Sequence, residues 1–366
     1  MLEVLRNLRA HPMFRAAMIV PTSIMLIFSV FNLTAPPDPA RQAASFQLGI
    51  VNQDKGSIFP PIKVSEKVLE GLLGNLPFTV THIVTTNAAR DALEQGDVAA
   101  VLIFPETFTK TAMSSEQVEF EIWNSQHLTI AETALGAQLP TMLQLGMSAA
   151  VASMREALAA GRLPTAEMPV TAKIETFNKA QSGASLVAPF VMTSATWLAA
   201  MVGAIMLFLA TKGVPYGASK ALVRTIVPVI SLGLASLALA GVVSLTIGDG
   251  SLFLPVWMTV WGAAVCIGWL INGLFAIFGM WSLIAVLPAA FYQPAIGGVQ
   301  APITAAPEWL SSIAEVLPFD QLGATYRSII LGGGSGIPVT QFVWVGLNGL
   351  VLIWLGSIFI DNMRAK

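Results

Sequence analysis

Six apolar windows set the strongest limit on what this chain can fold into. An α-helix rises about 1.5 Å per residue and needs about 20 apolar residues to cross the hydrocarbon core of a bilayer. The sequence therefore predicts an α-helical polytopic membrane protein with about six transmembrane helices. The windows lie at about 16–33, 187–210, 222–247, 254–279, 281–298 and 339–360.

Two parts of this pattern admit a second interpretation. The window at 16–33 follows three arginines and could be a cleavable signal peptide. The small residues that cleavage requires are poorly placed, so we expect a retained anchor. Only Gly279–Ser282 separates the fourth window from the fifth. A different division there would move the C-terminus to the other side of the membrane.

Charged residues are concentrated in one part of the chain. The whole chain is 55% hydrophobic and only 11% charged, against about 25% charged residues in an average soluble domain. Residues 34–185 nevertheless hold 10 basic and 15 acidic residues, which predicts a water-facing domain between the first two helices. This distribution excludes a soluble enzyme of this length, a strongly basic nucleic-acid-binding protein and a disordered chain.

Basic residues next to the windows predict the orientation. Lysine and arginine are retained on the cytoplasmic side of membrane spans, and with six spans all the flanking groups fall on one side. Both termini are then cytoplasmic, and the chain divides into an N-terminus with the first helix (1–33), an extracytoplasmic domain (34–185) and a five-helix membrane domain (186–366). The flanking residues are Arg6, Arg9, Arg15, Lys212, Lys220, Arg224, Arg364 and Lys366.

Alternating and continuous apolar runs predict an α/β or α+β fold for the outer domain. The segment 128–160 has a helical pattern that Pro140 interrupts. Asp54 follows the first strand within a run of turn-forming residues, and we interpret it as a turn-stabilising side chain rather than a ligand-binding one. The predicted strands lie at 46–51, 78–84, 98–104, 118–123 and 170–178.

The sequence contains no pattern that predicts catalysis or a bound cofactor. The single Cys266 and three histidines have no metal-ligand or disulfide spacing. The ATP-binding loop G-x-x-x-x-G-K-S/T is also absent. No ionisable residue is confidently placed near the middle of a window, which argues against an ion-coupled transporter. We expect a protein that is not an enzyme and carries no cofactor or metal.

Two segments of the outer domain resemble the YhgE/Pip group of membrane proteins. The first is the run 48–56 (LGIVNQDKG), followed by a helix that ends in Glu70-Gly71-Leu72, and the second is 92–108 (ALEQGDVAAVLIFPETF). The layout is similar as well: permeases in the ABC-2 type transporter superfamily have one span, a large outer domain and then five further spans. The resemblance implies a multi-pass protein of the bacterial plasma membrane, with a separate ABC ATPase subunit as partner and two copies forming the transport path.

The connection 299–338 resembles the outer re-entrant element of those permeases. Its pattern predicts one amphipathic helix with an apolar face at Trp309, Ile313 and Leu317, and a second helix that includes Arg327. Such helices lie at a membrane interface or enter the membrane partway. A surface loop with two helical turns is the alternative.

Two further sets of residues are candidates for contacts between helices or subunits. The loop between the second and third spans would meet an ATPase through Lys212, Tyr216 and Lys220, although the orientation rule alone also explains these lysines. Small residues spaced by four allow close helix packing, within one chain or across a homodimer. These are Ala195, Ala199 and Gly203 in the second span and Ser236, Ala240 and Ser244 in the third.

Two functions remain open on these grounds. The resemblance implies a permease-like membrane subunit of an ABC-2 type exporter, which moves a hydrophobic or amphipathic compound with the help of a separate ATPase. The alternative is a non-transporting, membrane-anchored surface protein whose outer domain binds a partner or supports secretion or envelope assembly. Five clustered spans exceed what anchoring requires, so we favour the permease.

Overall fold

The computed structural model describes a sheet domain and a block of apolar helices. The predicted first span at 16–33 lies outside the described residues, and so do Tyr216, Trp309, Ile313 and Leu317. The described residues are 43–58, 61–73, 77–114, 116–159, 169–213, 217–296, 302, 305, 307–308, 312, 319–334 and 339–360.

A five-stranded sheet forms the centre of the sheet domain (residues 43–178), as the sequence predicts. The strand order is β2-β1-β3-β4-β5. β1 pairs parallel with β2 and β3, β3 pairs antiparallel with β4, and β4 pairs parallel with β5. The strands are β1 (Gln47–Asn52), β2 (Thr79–His82), β3 (Ala100–Phe104), β4 (Val118–Ser125) and β5 (Val170–Phe177).

Four helices cover the two faces of this sheet. Every residue of β3 is buried, because β3 is the middle strand and its alternating side chains enter two different cores. Leu102 packs in the core beneath α1, α3 and α4, whereas Val101 and Ile103 pack on the opposite face with Leu93 of α2. The helices are α1 (Val64–Leu73), α2 (Thr86–Gln95), α3 (Phe108–Ala112) and α4 (Ile130–Ala159).

Asp54 is a buried acid in the loop after β1. Its carboxylate is 3% exposed and accepts hydrogen bonds from the backbone N–H groups of Thr109 at 3.0 Å and Gly56 at 3.2 Å. The Thr109 hydroxyl donates to it as well. Burial opposes ionisation, but the hydrogen bonds hold the pKa of Asp54 below its ordinary value. Asp54 therefore fastens the loop after β1 to the start of α3.

The pairing directions decide which edge of the sheet faces the apolar helices. β5 ends at Phe177 and the first apolar helix begins at Gly183, so the end of β5 lies beside the helices. β4 runs the same way, whereas β1, β2 and β3 run the opposite way. The ends of β4 and β5 therefore lie at the membrane-proximal edge, and the loops after β1, β2 and β3 lie at the far edge.

Among the described residues, four helical segments are long and apolar enough to cross a membrane. They make the chain a mostly helical, membrane-embedded protein, and three of them match the predicted windows 187–210, 222–247 and 339–360. The four segments are Gly183–Ala210, Ala218–Ile247, Gly250–Ala290 and Thr340–Ile360. Their α-helices are α5 (Gly183–Ala210), α6 (Ala218–Ile247), α7 (Phe253–Phe278) and α10 (Val339–Leu355), the last continued by a π-helical turn at Gly356–Ile360.

The windows at 254–279 and 281–298 fall largely within one candidate segment of 41 residues, Gly250–Ala290. Gly279 has a φ of +61° and ends α7. A 3₁₀ turn, Gly279–Ser282, then leads into α8 (Leu283–Ile296). This helix has 14 residues and is only about 21 Å long, which is short for a bilayer crossing. The count of six spans is therefore not confirmed.

Glycines allow α7 and α10 to pack with their backbones almost in contact. A methyl group at Gly349 of α10 would lie 2.5 Å from the carbonyl carbon of Trp269, and one at Gly273 of α7 would lie 2.6 Å from Cβ of Leu352. Gly356 is equally close to Ala276, at 2.5 Å. Small residues let membrane helices approach in this way, where van der Waals contact replaces the hydrophobic effect. This contact fixes the two helices against each other.

Substitution of Gly349 by alanine is expected to lower the stability of the helix block by about 1–3 kcal/mol, because the added methyl group overlaps backbone atoms of α7. Gly262→Ala is the matched control, since Gly262 lies in α7 and a methyl group there meets nothing within 4 Å. Thermal unfolding of the full chain in detergent micelles measures both effects. Equal melting temperatures for the two variants would show that α7 and α10 are not in close contact.

Candidate functional site

The sheet domain meets the apolar helices at a junction formed by three glycines. Gly332, Gly333 and Gly334 follow α9 (Phe319–Leu331) and have φ angles of +76°, +74° and +84°. The backbone N–H of Gly334 donates to the carbonyl oxygen of Glu94 at 3.0 Å. Residues with side chains rarely adopt such φ values, so the backbone path here requires glycine.

The lack of space for a side chain at the junction also requires glycine at Gly333 and Gly334. A methyl group at Gly333 would lie 2.6 Å from the carbonyl oxygen of Glu94 and 2.7 Å from Nδ2 of Asn178. One at Gly334 would lie 2.7 Å from Nε2 of His127. Glu94, His127 and Asn178 follow or end three different elements of the sheet domain. The three glycines, Glu94, His127 and Asn178 are called the glycine junction below.

His127 is held in its neutral form at this junction. Its side chain is 7% exposed, and burial followed by the nearby Arg327 cation lowers its pKa from 6.5 to about 4. Hydrogen bonds with the backbone of Gly332 and Arg327 raise the pKa of His127, but by less than burial and the Arg327 charge lower it. Arg327, predicted as part of a re-entrant element, is half-buried in α9. Sequence reasoning gave His127 no role.

α9 runs beside the membrane helix α5 but is too short to cross a bilayer. Its 13 residues extend about 20 Å. Tyr326 is fully buried, and its hydroxyl lies 2.9 Å from Oγ1 of Thr196, in the middle part of α5. Because the C-terminal end of α9 reaches the glycine junction, α9 connects the sheet domain to the interior of the helix block.

A second polar cluster lies at the opposite end of the block, around Arg224 of α6. Arg224 is 1% exposed and donates from Nε to Oγ1 of Thr211 at 3.1 Å and from Nη1 to Oγ of Ser357 at 3.3 Å. Its guanidinium carbon also lies 5.6 Å from the centre of the Phe208 ring. Arg224 therefore ties α6 to the end of α5 and to the π-turn after α10. The sequence analysis attributed Arg224 to the rule that basic residues flank spans on the cytoplasmic side. It therefore did not predict the contacts of Arg224 with Thr211 and Ser357.

The predicted ATPase contacts differ in exposure. Lys212 is exposed in the turn after α5, whereas Lys220 in α6 is 5% exposed within the chain. Tyr216 lies outside the described residues. Their role as a docking site stays a prediction.

The predicted small-residue sets are placed differently in the two helices. Ser236, Ala240 and Ser244 are buried on one face of α6. On α5, Ala199 packs in a small core, Ala195 is half-buried, and Gly203 is exposed with open space around it. The buried stripe of α5 lies one position later, at Met192, Thr196, Ala200 and Ala204.

Acidification is expected to loosen the glycine junction. When the junction opens, the pKa of His127 returns to its ordinary value of 6.5. In the closed junction the pKa of His127 is about 4. The free energy of opening therefore falls by about 1.4 kcal/mol per pH unit between these values. Amide hydrogen exchange of residues 332–334, corrected for the intrinsic pH dependence of exchange, measures this free energy of opening. His127→Phe should flatten the profile and His82→Gln should not, and a His127→Phe profile identical to wild type would refute this role.

Comparison with known proteins adds little to this geometry. Searches against protein-family models and against curated proteins give no match. Among the described residues, no group of three or more His, Cys, Asp or Glu side chains could hold a metal ion. A domain ascribed to an ABC type-2 transporter of Thermotoga maritima MSB8 is similar over 36% of this chain and 85% of that one, with 16% identity and a TM-score of 0.27. Such a score is too low to establish a shared fold.

Proposed function

We propose that this chain is a permease-like membrane subunit of an ABC-2 type exporter. It moves a hydrophobic or amphipathic compound across the bacterial plasma membrane, and a separate ATPase supplies the energy. In this proposal the chain has six spans, with 16–33 before the sheet domain and 281–298 as the fifth. Both termini are cytoplasmic and the sheet domain is extracytoplasmic.

The observation that carries the proposal is the link between the sheet domain and α9. An anchored surface domain needs a single span and no contact with the membrane interior. Here the glycine junction fastens the domain to a helix that reaches Thr196 through Tyr326. A displacement of the domain would therefore move a helix inside the block, which is what a transporter requires and an anchor does not.

The distribution of charge supports an external energy source. In the described parts of the apolar helices α5, α6, α7 and α10, the ionisable lysines and arginines are Lys220 and Arg224, both within the first two turns of α6. An ion-driven transporter places such groups deeper in the membrane. The sequence also lacks an ATP-binding loop. We place the ATPase at Lys212, Tyr216 and Lys220, with Lys212 as the exposed contact, and two copies of the chain around the path.

One feature favours the alternative function. Ile58 and Val84 lie at the far edge of the sheet domain and are 93% and 94% exposed. A continuous exposed apolar patch fits a protein partner, so the alternative requires Ile58 and Val84 to belong to one such patch. A surface protein that binds such a partner would use the apolar helices only as an anchor.

The orientation is tested by cysteine labelling in intact cells. On a Cys266→Ala background, Val84→Cys is expected to react with a membrane-impermeant maleimide from outside, because Val84 is 94% exposed in the sheet domain. Ser219→Cys, exposed at the start of α6, should react only after permeabilisation. Labelling of Ser219→Cys in intact cells would contradict the proposed orientation.

Export is tested by retention of lipophilic dyes in cells with and without the gene. Deletion is expected to raise dye retention, and an ATPase should co-purify with the wild-type chain. Lys212→Glu should reproduce the deletion at normal membrane abundance, because it reverses the exposed charge at the docking site. Lys67→Glu, an exposed change in the sheet domain, is the matched control.

The two functions give opposite results in this experiment. Absence of a co-purifying ATPase, together with unchanged dye retention on deletion, would exclude the permease. Loss of a bound protein partner from an Ile58→Asp and Val84→Asp double variant would then establish the anchored surface protein.

A further inference from the structure

A carboxamide lies on the outer surface of α10, at the level of the membrane interior. Asn348 is near the middle of the candidate span Thr340–Ile360, and its side chain is exposed. The carboxamide of the neighbouring helix α7, at Asn272, is instead 2% exposed and lies inside the helix block. Asn348 is therefore a polar side chain on a surface that the bilayer surrounds.

Much of the hydrogen-bonding capacity of Asn348 is unused. Its Nδ2 donates to the backbone carbonyl oxygen of Trp344 at 2.8 Å, within the same helix. A carboxamide also offers a second N–H and the Oδ1 acceptor. Among the described residues, Asn348 forms no other hydrogen bond. Hydrocarbon provides no partner for these groups, so contact with another polar group there is favourable.

The exposed residues of this face of α10 recur at intervals of three and four positions. This is the spacing of the a and d positions in a coiled coil, and Asn348 takes the central a position. The set, called the outer seam below, consists of Gln341, Trp344, Asn348, Val351 and Leu355.

The inner side of α10 is already occupied by α7. A methyl group at Gly346 would lie 2.9 Å from Sγ of Cys266 in α7, and Gly349 and Gly356 approach α7 even more closely. The exposed outer seam faces away from this contact. It is therefore a face on which a helix of another chain can pack.

A second copy of this chain is the partner that fits the outer seam. A two-fold axis perpendicular to the membrane sets two α10 helices side by side, with the same direction and at the same depth. Asn348 then meets Asn348 of the partner subunit, and each can donate its remaining N–H to Oδ1 of the other. A single asparagine at an a position acts in this way in parallel coiled coils, where it fixes the register and the number of chains. An apolar helix or lipid would leave both groups unpaired.

We propose that two copies of this chain associate through the outer seam, with the paired Asn348 carboxamides at its centre. Val351 and Leu355 pack against their counterparts on the cytoplasmic half of the seam. The biological role of this contact, which is to bring two copies together around a transport path, rests on the proposed function. The physical argument for the contact does not require export.

The test measures dimerisation of the full chain in phosphatidylcholine vesicles. Copies labelled at Ser219→Cys on the Cys266→Ala background report association by energy transfer as the ratio of protein to lipid is varied. Asn348→Leu should weaken dimerisation by about tenfold, because the hydrogen-bonded pair is lost. Asn348→Gln should retain most of it, since glutamine carries the same carboxamide.

Ser231→Leu is the matched control, because it replaces an exposed polar side chain of α6 by leucine. Its dissociation constant should equal that of the wild type. A wild-type chain that remains monomeric, or equal dissociation constants for the wild type and Asn348→Leu, would overturn the proposal.

Cross-linking tests the geometry of the outer seam without changing Asn348. On the Cys266→Ala background, Val351→Cys should form dimers with a short thiol-to-thiol reagent, because equivalent d positions face each other in a parallel pair. Leu234→Cys, 65% exposed on α6, is the control and should not. Equal cross-linking of the two variants would indicate random collision and overturn the proposal. Coverage of the seam by residues 16–33 would leave Val351→Cys monomeric, with the same consequence.

Failure of this inference is distinguishable from failure of the proposed function. Dimers cross-linked at Val351→Cys, in a protein whose deletion leaves dye retention unchanged, would refute export and retain the outer seam. Normal dye export without this cross-link would refute the outer seam alone.

Discussion

The rest of the structure depends on the close approach of two backbones at the glycine junction. Gly332, Gly333 and Gly334 adopt left-handed angles, and Gly333 and Gly334 also leave no room for a methyl group, so the sheet domain rests directly on the end of α9. A methyl group at Gly333 or Gly334 would overlap atoms of Glu94, Asn178 or His127. The same contact brings His127 near Arg327, and burial together with the Arg327 charge lowers the pKa of His127.

Much of the fold could be predicted from local patterns. The continuous apolar run at 98–104 predicted a strand buried on both faces, and β3 is such a strand. The long apolar windows 187–210, 222–247 and 339–360 predicted three of the four candidate spans, because length and apolarity define a span. The strand order and the antiparallel pairing of β3 with β4 could not be predicted, because pairing between distant segments leaves no periodic signal. The contact of Gly349 with α7 was also missed, since small residues at helical spacing occur on many faces.

The site was less predictable than the fold because its parts are far apart in the sequence. His127 and Arg327 are separated by 200 positions in the printed sequence, and each alone is an ordinary residue. The available signal was the run of three glycines after an amphipathic segment, which marks an unusual backbone path. Arg224 was placed correctly at the end of a span, but its role in joining three helices depends on Thr211 and Ser357, which carry no charge pattern.

The pairing directions of the sheet have a consequence for how such a protein can change over time. β1 starts and β5 ends at the same membrane-proximal edge, so both ends of the sheet domain lie on one side of it. A domain whose two ends lie on one side can be exchanged for another without rearranging the helices that carry it. The restriction on such an exchange is small: a replacement must offer a carbonyl oxygen where Glu94 does and leave the space that the three glycines fill.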